Sequence, residues 1–376
     1  MPAGVYLHIP FCKSRCSYCD FATDVYRSSD AVDRYVNALC KEIVKFQLPD
    51  NAENNWIDTI YFGGGTPSLL SPQQVERIIY AVDSAFLLMG ADEVTMEMNP
   101  ATVTIESLKG YRSLGVNRAS FGVQTFDDRA LKLLARGHDA NDARTTFALV
   151  REAGFTNISF DLIAGLPGQT LEDWKKNVRE AVSMKPEHLS LYLLEVHEAT
   201  PLAEQIRSGR QPKPDDELAA SMYEFMIEEL TAAGYRQYEI SNFAMPGFES
   251  RHNSKYWRLD PVYAFGVSAH SFDGVERYAN ERDTARYVEM IETAATAEVM
   301  RETIDVASEF AFLGLRLVEG LDLDSYRLRF GIDLEEKYKR ELETAADNGL
   351  LEFRAGQLVL TERGKVFSNE VFSIFV

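Results

Sequence analysis

The chain has 376 residues, 45% of them hydrophobic, and a formal net charge of −19. That length accommodates one large domain and a smaller one, each with a core of its own. So acidic a balance argues against a nucleic-acid backbone or an anionic lipid surface as partner, and no stretch approaches the roughly twenty apolar residues of a membrane-spanning helix. Met1-Pro2-Ala3-Gly4 leads straight into an apolar run at Val5, without the basic and long apolar regions of a secretory leader. A soluble, cytoplasmic chain is therefore expected, and clustered thiols also favour a reducing compartment.

The apolar run at 4–9 predicts a first strand, and Cys12, Cys16 and Cys19 follow it. A helical pattern near 31–47 comes next, then alternating strands and helices: strands near 57–63, 93–99, 116–124, 156–164 and 187–195, helices near 72–88, 104–114, 127–134 with 139–153, and 171–184. Ser71-Pro72 and Thr170-Leu171 read as helix starts, a capping hydroxyl followed by the first turn. Strand–helix units in this order imply a parallel sheet with helices outside, and right-handed crossovers curl it toward a barrel. A closed barrel of this kind needs eight strands, so six predict an open, partial (β/α)6 barrel of the α/β class. Its core is expected over 1–235. From about 199 to 300 the pattern is less regular, with helices near 215–233 and 284–297 flanking a loop-rich stretch, and 236–300 is expected as a connecting segment. A separate stretch at 301–376 shows helical patterns at 304–318, 322–330 and 335–347, a stop at Asn348-Gly349, two short strands at 350–354 and 357–361, and a final helix from about Arg363. Three helices and a two-stranded wing predict a winged-helix-like domain, here too acidic for a DNA-binding role and expected to serve in packing or as a lid.

Three of the four cysteines fall within eight residues in the spacing C-x3-C-x2-C. This differs from the paired C-x2-C of structural zinc sites. Three thiolates on one loop can hold three irons of a 4Fe–4S cluster and leave the fourth iron open to a ligand. The loop follows the first strand, and ligand sites on such sheets form at the C-terminal ends of strands. The neighbouring strand ends carry the glycine run Gly63-Gly64-Gly65-Thr66-Pro67, then Glu97, Gln124, Arg136 and Asp161. Consecutive glycines let backbone amides approach a ligand, and a carboxylate at a strand end can pair with an amine or hydroxyl. Asp161 stands in an otherwise apolar strand, where a carboxylate is costly unless paired. Each of these polar residues taken singly reads as a structural hydrogen-bonding group; their placement at successive strand ends points to a ligand. Cys40, within a helical pattern, reads as a small core residue.

The cysteine spacing, the Gly-Gly-Gly-Thr-Pro run after the second strand and the six-unit barrel resemble the radical S-adenosylmethionine superfamily. The resemblance is closer to one branch, the coproporphyrinogen III dehydrogenases and the related HemW-type haem chaperones, and runs from Tyr6-Leu7-His8-Ile9-Pro10-Phe11-Cys12 through the C-terminal domain. It implies that Cys12, Cys16 and Cys19 ligate a 4Fe–4S cluster whose open iron takes S-adenosylmethionine. Tyr6, Tyr18, Gly64 and Glu97 would contact that molecule. Gly65, Thr66, Gln124, Arg136 and Asp161 match positions lining a second S-adenosylmethionine in the dehydrogenase. An electron donor such as a flavodoxin or ferredoxin would reduce the cluster.

Three departures separate the two branches. The dehydrogenase carries a substantial segment before its cysteines, and eleven residues precede Cys12 here. The dehydrogenase has a further cysteine two residues after the third, where this chain has Phe21. Finally, His252-Asn253-Ser254-Lys255-Tyr256-Trp257 matches the H-N-x-x-Y-W pattern of the haem chaperones. The match makes His252 the expected haem ligand with Tyr256 beside it, and His270 a second candidate, since a neutral imidazole binds iron and an aromatic can stack on a porphyrin. The function expected is a haem-binding chaperone that passes haem to an acceptor protein. The alternative is an enzyme, oxidative decarboxylation of coproporphyrinogen III to protoporphyrinogen IX. A radical methyltransferase or a haem-degrading relative would share the front half of the chain.

Overall fold

The computed structural model describes residues 2–52, 54–294 and 296–376. Six strands run parallel in chain order: β1 (Ala3–Ile9), β2 (Trp56–Gly64), β3 (Leu87–Met98), β4 (Arg118–Gln124), β5 (Ile158–Ala164) and β6 (His188–Leu193). The crossovers carry α1 (Ser29–Lys45), α2 (Pro72–Ala85), α3 (Ile105–Ser113), α4 (Asp128–Leu133) with α5 (Ala140–Glu152), and α6 (Leu171–Met184). The two expected helix starts hold: Ser71 and Thr170 each accept the N–H three residues on, and Gln74 and Asp173 close the capping box. β3 begins at Leu87, six residues before the alternation made it legible.

The later chain extends both edges of this sheet. β7 (Arg236–Glu239) and β8 (Asn242–Ala244) add antiparallel strands beside β6. On the other edge β9 (Val262–Phe265) pairs parallel with β1, and β10 (His270–Phe272), β11 (Glu276–Asn280) and β12 (Glu298–Thr303) continue antiparallel. The result is one twelve-stranded sheet with seven parallel strands at its centre. The seventh, β9, was not expected; four apolar residues after a loop carry too little periodicity to declare a strand.

Alternation within the strands sorts side chains to two faces. Val5, Leu7, Ile60, Phe62, Val94, Met96, Phe121, Phe160 and Leu189 join the main hydrophobic core beneath the helices. The alternate set faces inward and is polar: Tyr6 and His8, Thr59 and Tyr61, Glu93, Thr95 and Glu97, Arg118 and Ser120, Ser159 and Asp161, His188 and Ser190. Register places Tyr6 beside Tyr61, Tyr61 beside Thr95, Glu97 beside Ser120 and Asp161 beside Ser190.

A second core joins Ala311, Leu315, Tyr326, Leu342, Leu358 and Val371 of the C-terminal stretch. Ahead of the wing its helices span Val306–Gly314, Leu323–Phe330, Leu334–Lys337 and Lys339–Asp347, the last two divided at Tyr338, where a single helix over 335–347 was expected, and after it come Glu362–Val366 and Ser368–Phe372. The helix stops at Asn348, and Gly349 turns the chain at φ +70° into the wing strands Leu351–Arg354 and Gln357–Leu360. Leu321–Asp322 adds a third strand to that wing.

Candidate functional site

The cysteine loop leaves β1 at Pro10 and returns as a short ladder, Phe11–Cys12 beside Asp24–Val25. The Asp24 N–H donates to the Pro10 carbonyl at 2.8 Å and the Tyr26 N–H to the Cys12 carbonyl at 2.8 Å. The exit of β2 packs against this loop: the Gly65 N–H donates to the Ile9 carbonyl at 2.8 Å. A side chain on Gly65 would begin 2.6 Å from the Pro10 carbonyl oxygen, and one on Gly64, at φ +109°, 2.7 Å from the His8 ring. Glycine is required at both positions by this close approach.

Cys12, Cys16 and Cys19 are half-buried, unoxidised thiols. Burial pushes the Cys12 thiol up to about 11, and burial also raises Cys19, while the Arg136 guanidinium pulls both back. The Thr66 hydroxyl lies 3.5 Å from Cys12 Sγ and takes the Asn99 Nδ2–H at 2.7 Å. Arg136 Nη2 donates to Asn99 Oδ1 at 2.6 Å and to the Gly122 carbonyl, and its Nη1 stands 3.5 Å from both Cys16 Sγ and the Tyr18 hydroxyl. Gly122 bears no side chain because the Gln124 amide and the Arg136 guanidinium lie over it, 2.8 and 3.1 Å from where a Cβ would be. Gln124 itself ends β4 at φ +67°. One network therefore joins Cys12, Cys16, Tyr18, Thr66, Asn99 and Arg136, with Gln124 beside it over Gly122.

Among the described residues no three His, Cys, Asp or Glu side chains converge to hold a single metal ion. The three thiols share one loop, Cys16 near enough to raise the pKa of Cys12 and of Cys19, beside the half-buried Arg136 guanidinium. That donor set fits a polynuclear cluster, one iron to each thiolate, rather than a mononuclear ion. Because burial favours the protonated form of Cys12 and Cys19, thiolate coordination to a metal there must release protons.

Beside this network, Glu97 accepts the Tyr61 hydroxyl at 2.8 Å on Oε1 and the Gly64 N–H at 3.1 Å on Oε2. Burial nevertheless pushes its carboxyl up to about 7. Burial also raises Asp161, to about 6, against the pull of the Ser190 hydroxyl, Arg118, Arg136 and the Ser120 hydroxyl. Both carboxyls thus exchange protons near neutrality, the range in which a group can switch between accepting and donating a hydrogen bond. Tyr6 stacks on Tyr61 with ring centroids 6.0 Å apart and its hydroxyl lies 3.2 Å from His8 Nδ1. Arg118 is a fully buried cation of the same inner face.

The H-N-x-x-Y-W residues form the helix Arg251–Trp257 at the opposite end, the N-terminal ends of β1–β3. Glu93 accepts its first backbone N–H groups, those of Arg251 and His252, at 3.0 Å each. Lys255 pairs with Asp58 at 2.8 Å and donates to the Pro2 carbonyl at 2.8 Å. The His252 ring is fully buried: Nδ1 lies 2.9 Å from the Thr59 hydroxyl, Nε2 lies 3.2 Å from the Tyr256 hydroxyl, and the ring stacks on Tyr61 at 5.0 Å. Burial, with Lys255 and Arg118 adding, pushes its pKa down to about 3, so the imidazole is neutral. Trp257 lies under the Arg316 guanidinium, 4.2 Å from its ring centre, and Arg316 pairs with the buried Glu239 at 3.3 Å. His270 is exposed on β10, toward the cysteine loop, where Arg282 donates to the Asp20 carbonyl at 2.8 Å.

Most of the expected cofactor residues are thus gathered at one end of the inner face and His252 and Tyr256 at the other, with Tyr6 reaching the His252 ring at 6.4 Å, and His270 stands outside. Sequence reading passed over Tyr61, Glu93, Asn99 and Arg118. The period-two alternation over 57–63 and 93–99 was the available signal, since it sets Thr59, Tyr61, Glu93, Thr95 and Glu97 on one face.

Residues 6–181 match the Radical SAM superfamily and residues 302–367 the HemN C-terminal domain. The chain is 38% identical to the heme chaperone HemW of Bacillus subtilis over 99% of both chains. It is 33% identical to the HemW of Escherichia coli, with 100% of this chain and 98% of that one covered. The structure of coproporphyrinogen III oxidase (HemN) from Escherichia coli superimposes with a TM-score of 0.86 over 100% of this chain and 90% of that chain, at 23% identity, and so shares the fold. With full-length identity at this level, the chain belongs to the HemW family of haem chaperones within the radical S-adenosylmethionine superfamily.

Proposed function

We propose that this protein binds haem and delivers it to an acceptor protein, on a scaffold that carries a 4Fe–4S cluster and S-adenosylmethionine. The observation that carries the reading is the full-length similarity to haem chaperones, together with the helix Arg251–Trp257, which presents the H-N-x-x-Y-W residues as one unit. Cys12, Cys16 and Cys19 would hold the cluster, and Arg136 would balance its negative charge. Tyr6, Tyr18, Gly64, Gly65, Thr66, Glu97, Gln124, Arg136 and Asp161 would line the S-adenosylmethionine. When bound, cluster and S-adenosylmethionine together supply one-electron chemistry at the open iron. The chain's own residues contribute otherwise: Thr66, Asn99 and Arg136 brace the thiols, and Glu97 and Asp161 accept or donate hydrogen bonds according to pH. The 1–235 core would house this site, 236–300 the haem motif, and 301–376 would brace that motif through Arg316 on Trp257.

For haem, His252 has the neutral imidazole that iron binding requires. To reach it, iron must displace the Tyr256 or Thr59 hydroxyl, so haem loading entails movement of the motif helix. His270 is the second, exposed candidate.

The test is anaerobic reconstitution of the full chain with iron and sulfide, followed by haem titration of the wild type, His252→Ala and His270→Ala. Stoichiometric binding that is lost in His252→Ala supports the reading, and loss only in His270→Ala moves the ligand to β10. Unchanged binding in both variants removes both ligand assignments. A parallel incubation with coproporphyrinogen III, S-adenosylmethionine and a reductant is expected to give no decarboxylated product; turnover to protoporphyrinogen IX would overturn the chaperone reading in favour of the dehydrogenase.

A further inference from the structure

Two tyrosine rings, Tyr6 and Tyr61, meet the His252 ring of the motif helix, and Tyr61 carries the contact on to Glu97. Tyr61 is buried on the inner face of β2, and its ring meets two others, His252 at 5.0 Å and 28° and Tyr6 at 6.0 Å and 23°, which also meet each other at 6.4 Å. Its hydroxyl donates to Glu97 Oε1 at 2.8 Å, and the other Glu97 oxygen takes the Gly64 N–H at 3.1 Å. Three direct contacts therefore lead from the His252 imidazole to the glycine run at the end of β2. Tyr6 also meets the His252 ring, at 6.4 Å, but its hydroxyl lies against His8; Tyr61 makes both ends of the link, a ring for the imidazole and a donor for the carboxylate.

We propose that Tyr61 is a positioning residue that couples the two ends of the barrel, holding Glu97 toward the S-adenosylmethionine while His252 is seated and losing that hold when His252 binds haem iron. The coupling rests on the assignment of Glu97 to S-adenosylmethionine and of His252 to haem. The physical chain is short. Both ring nitrogens of His252 are engaged, by Thr59 and Tyr256, so coordination at either one takes the imidazole from a partner and moves the ring. Tyr61 then loses one of its two stacking neighbours, and its hydroxyl is no longer fixed on Glu97. One ligand alters the affinity for another only through such a difference in contacts, and the effect is reciprocal. The two ligands are therefore antagonistic: haem weakens S-adenosylmethionine binding, and S-adenosylmethionine weakens haem binding.

The link has a signature in pH. Glu97 faces Tyr6 from β1, Tyr61 from β2, Arg118 from β4, Asp161 from β5 and Tyr256 from the motif helix. Burial raises its carboxyl, the Tyr61 hydroxyl is the strongest influence holding it down, Asp161 raises it further, and the Gly64 N–H and Arg118 lower it. Removal of the hydroxyl must move its ionisation to higher pH. An ionised Glu97 accepts hydrogen bonds from the ligand amine, so affinity rises with pH through that ionisation.

The experiment measures S-adenosylmethionine affinity of the reconstituted full chain by equilibrium dialysis from roughly pH 6 to 9, with and without one equivalent of haem. Comparison of variants at equal pH cancels the ionisation of the ligand itself. In the wild type, haem is expected to weaken binding about fivefold or more, the lower range of ordinary coupling. Tyr61→Phe keeps the ring and removes only the hydroxyl; its affinity midpoint is expected at higher pH, and haem is expected to have no further effect. A Tyr61→Phe protein with the wild-type pH profile and wild-type haem sensitivity overturns the coupling. Glu97→Gln separates the two levels. If it weakens binding while Tyr61→Phe leaves the profile in place, the coupling alone fails; if it binds as the wild type does, the assignment of Glu97 fails and takes the coupling with it.

Discussion

At the C-terminal ends of the parallel strands the functional groups are half-buried and loosely tied: Cys16 and Tyr18 each reach Arg136 only at 3.5 Å. At the N-terminal ends of β1–β3 the groups are buried and closely bonded, with Glu93 on two backbone N–H groups and His252 on Thr59 and Tyr256. The contrast separates two ways of making a site. A ligand at the cysteine end meets Cys16 and Tyr18, whose contacts are long, while Thr66, Asn99 and Arg136 behind them are already tied to one another. A ligand at His252 must first break protein contacts, so its affinity is reduced by the cost of opening. The first end suits a resident cofactor, the second a cargo that is taken up and released.

The largest effect expected from this contrast is at Glu93. Glu93→Ala removes the acceptor of two buried backbone N–H groups at the start of the motif helix, each worth about 1–3 kcal/mol when left without one. A loss of about 3 kcal/mol in chemical denaturation is expected, and a loss under about 1 kcal/mol would mean that the N-terminal mouth is not tightly held.

The two ends should also differ in the sign of their pH dependence. The unfolded His252 ring takes up a proton near 6.5 and the folded one only near 3. Between those values the unfolded chain binds more protons, so this group makes stability rise with pH up to about 6.5. Glu97 and Asp161 have the opposite displacement, from 4.5 to about 7 and from 3.8 to about 6. There the folded chain binds more protons, and stability falls as pH rises across those windows. Thermal unfolding of the cluster-free protein from acid to neutral pH should therefore lose its rising component in His252→Gln and part of its falling component in Glu97→Gln. Equal slopes in both variants would erase the distinction.

The smallest effect belongs outside both ends. Arg34 pairs with Glu292 on the exposed faces of α1 and the helix Thr284–Thr293. Exposed pairs are screened by water and salt, so Arg34→Ala should leave the denaturation midpoint unchanged.

Much of the architecture was legible because its signals are local. Six parallel strands, their crossover helices, the capped starts at Ser71 and Thr170 and the stop at Asn348-Gly349 all follow from spacing and side-chain chemistry within a few residues. The break at Tyr338 and the strand at Val262–Phe265 were not legible, since Tyr338 meets Phe375 and β9 exists only by pairing with β1. The glycine run was noticed for what it offers a ligand; the close approach of Pro10 and His8 supplies a packing reason for Gly64 and Gly65 as well.

By itself the sequence determined the strand–helix order, the family and the three thiols, because periodicity and motif spacing are written along the chain. Only the tertiary structure decided that Tyr61 and Asn99 join the expected residues and that the motif helix closes the end away from the cysteines. His252 lies 193 positions from Thr59 and Tyr61 lies 36 from Glu97. Contacts between residues so distant in the chain arise from strand register and the return of the chain to β1, which no local pattern encodes.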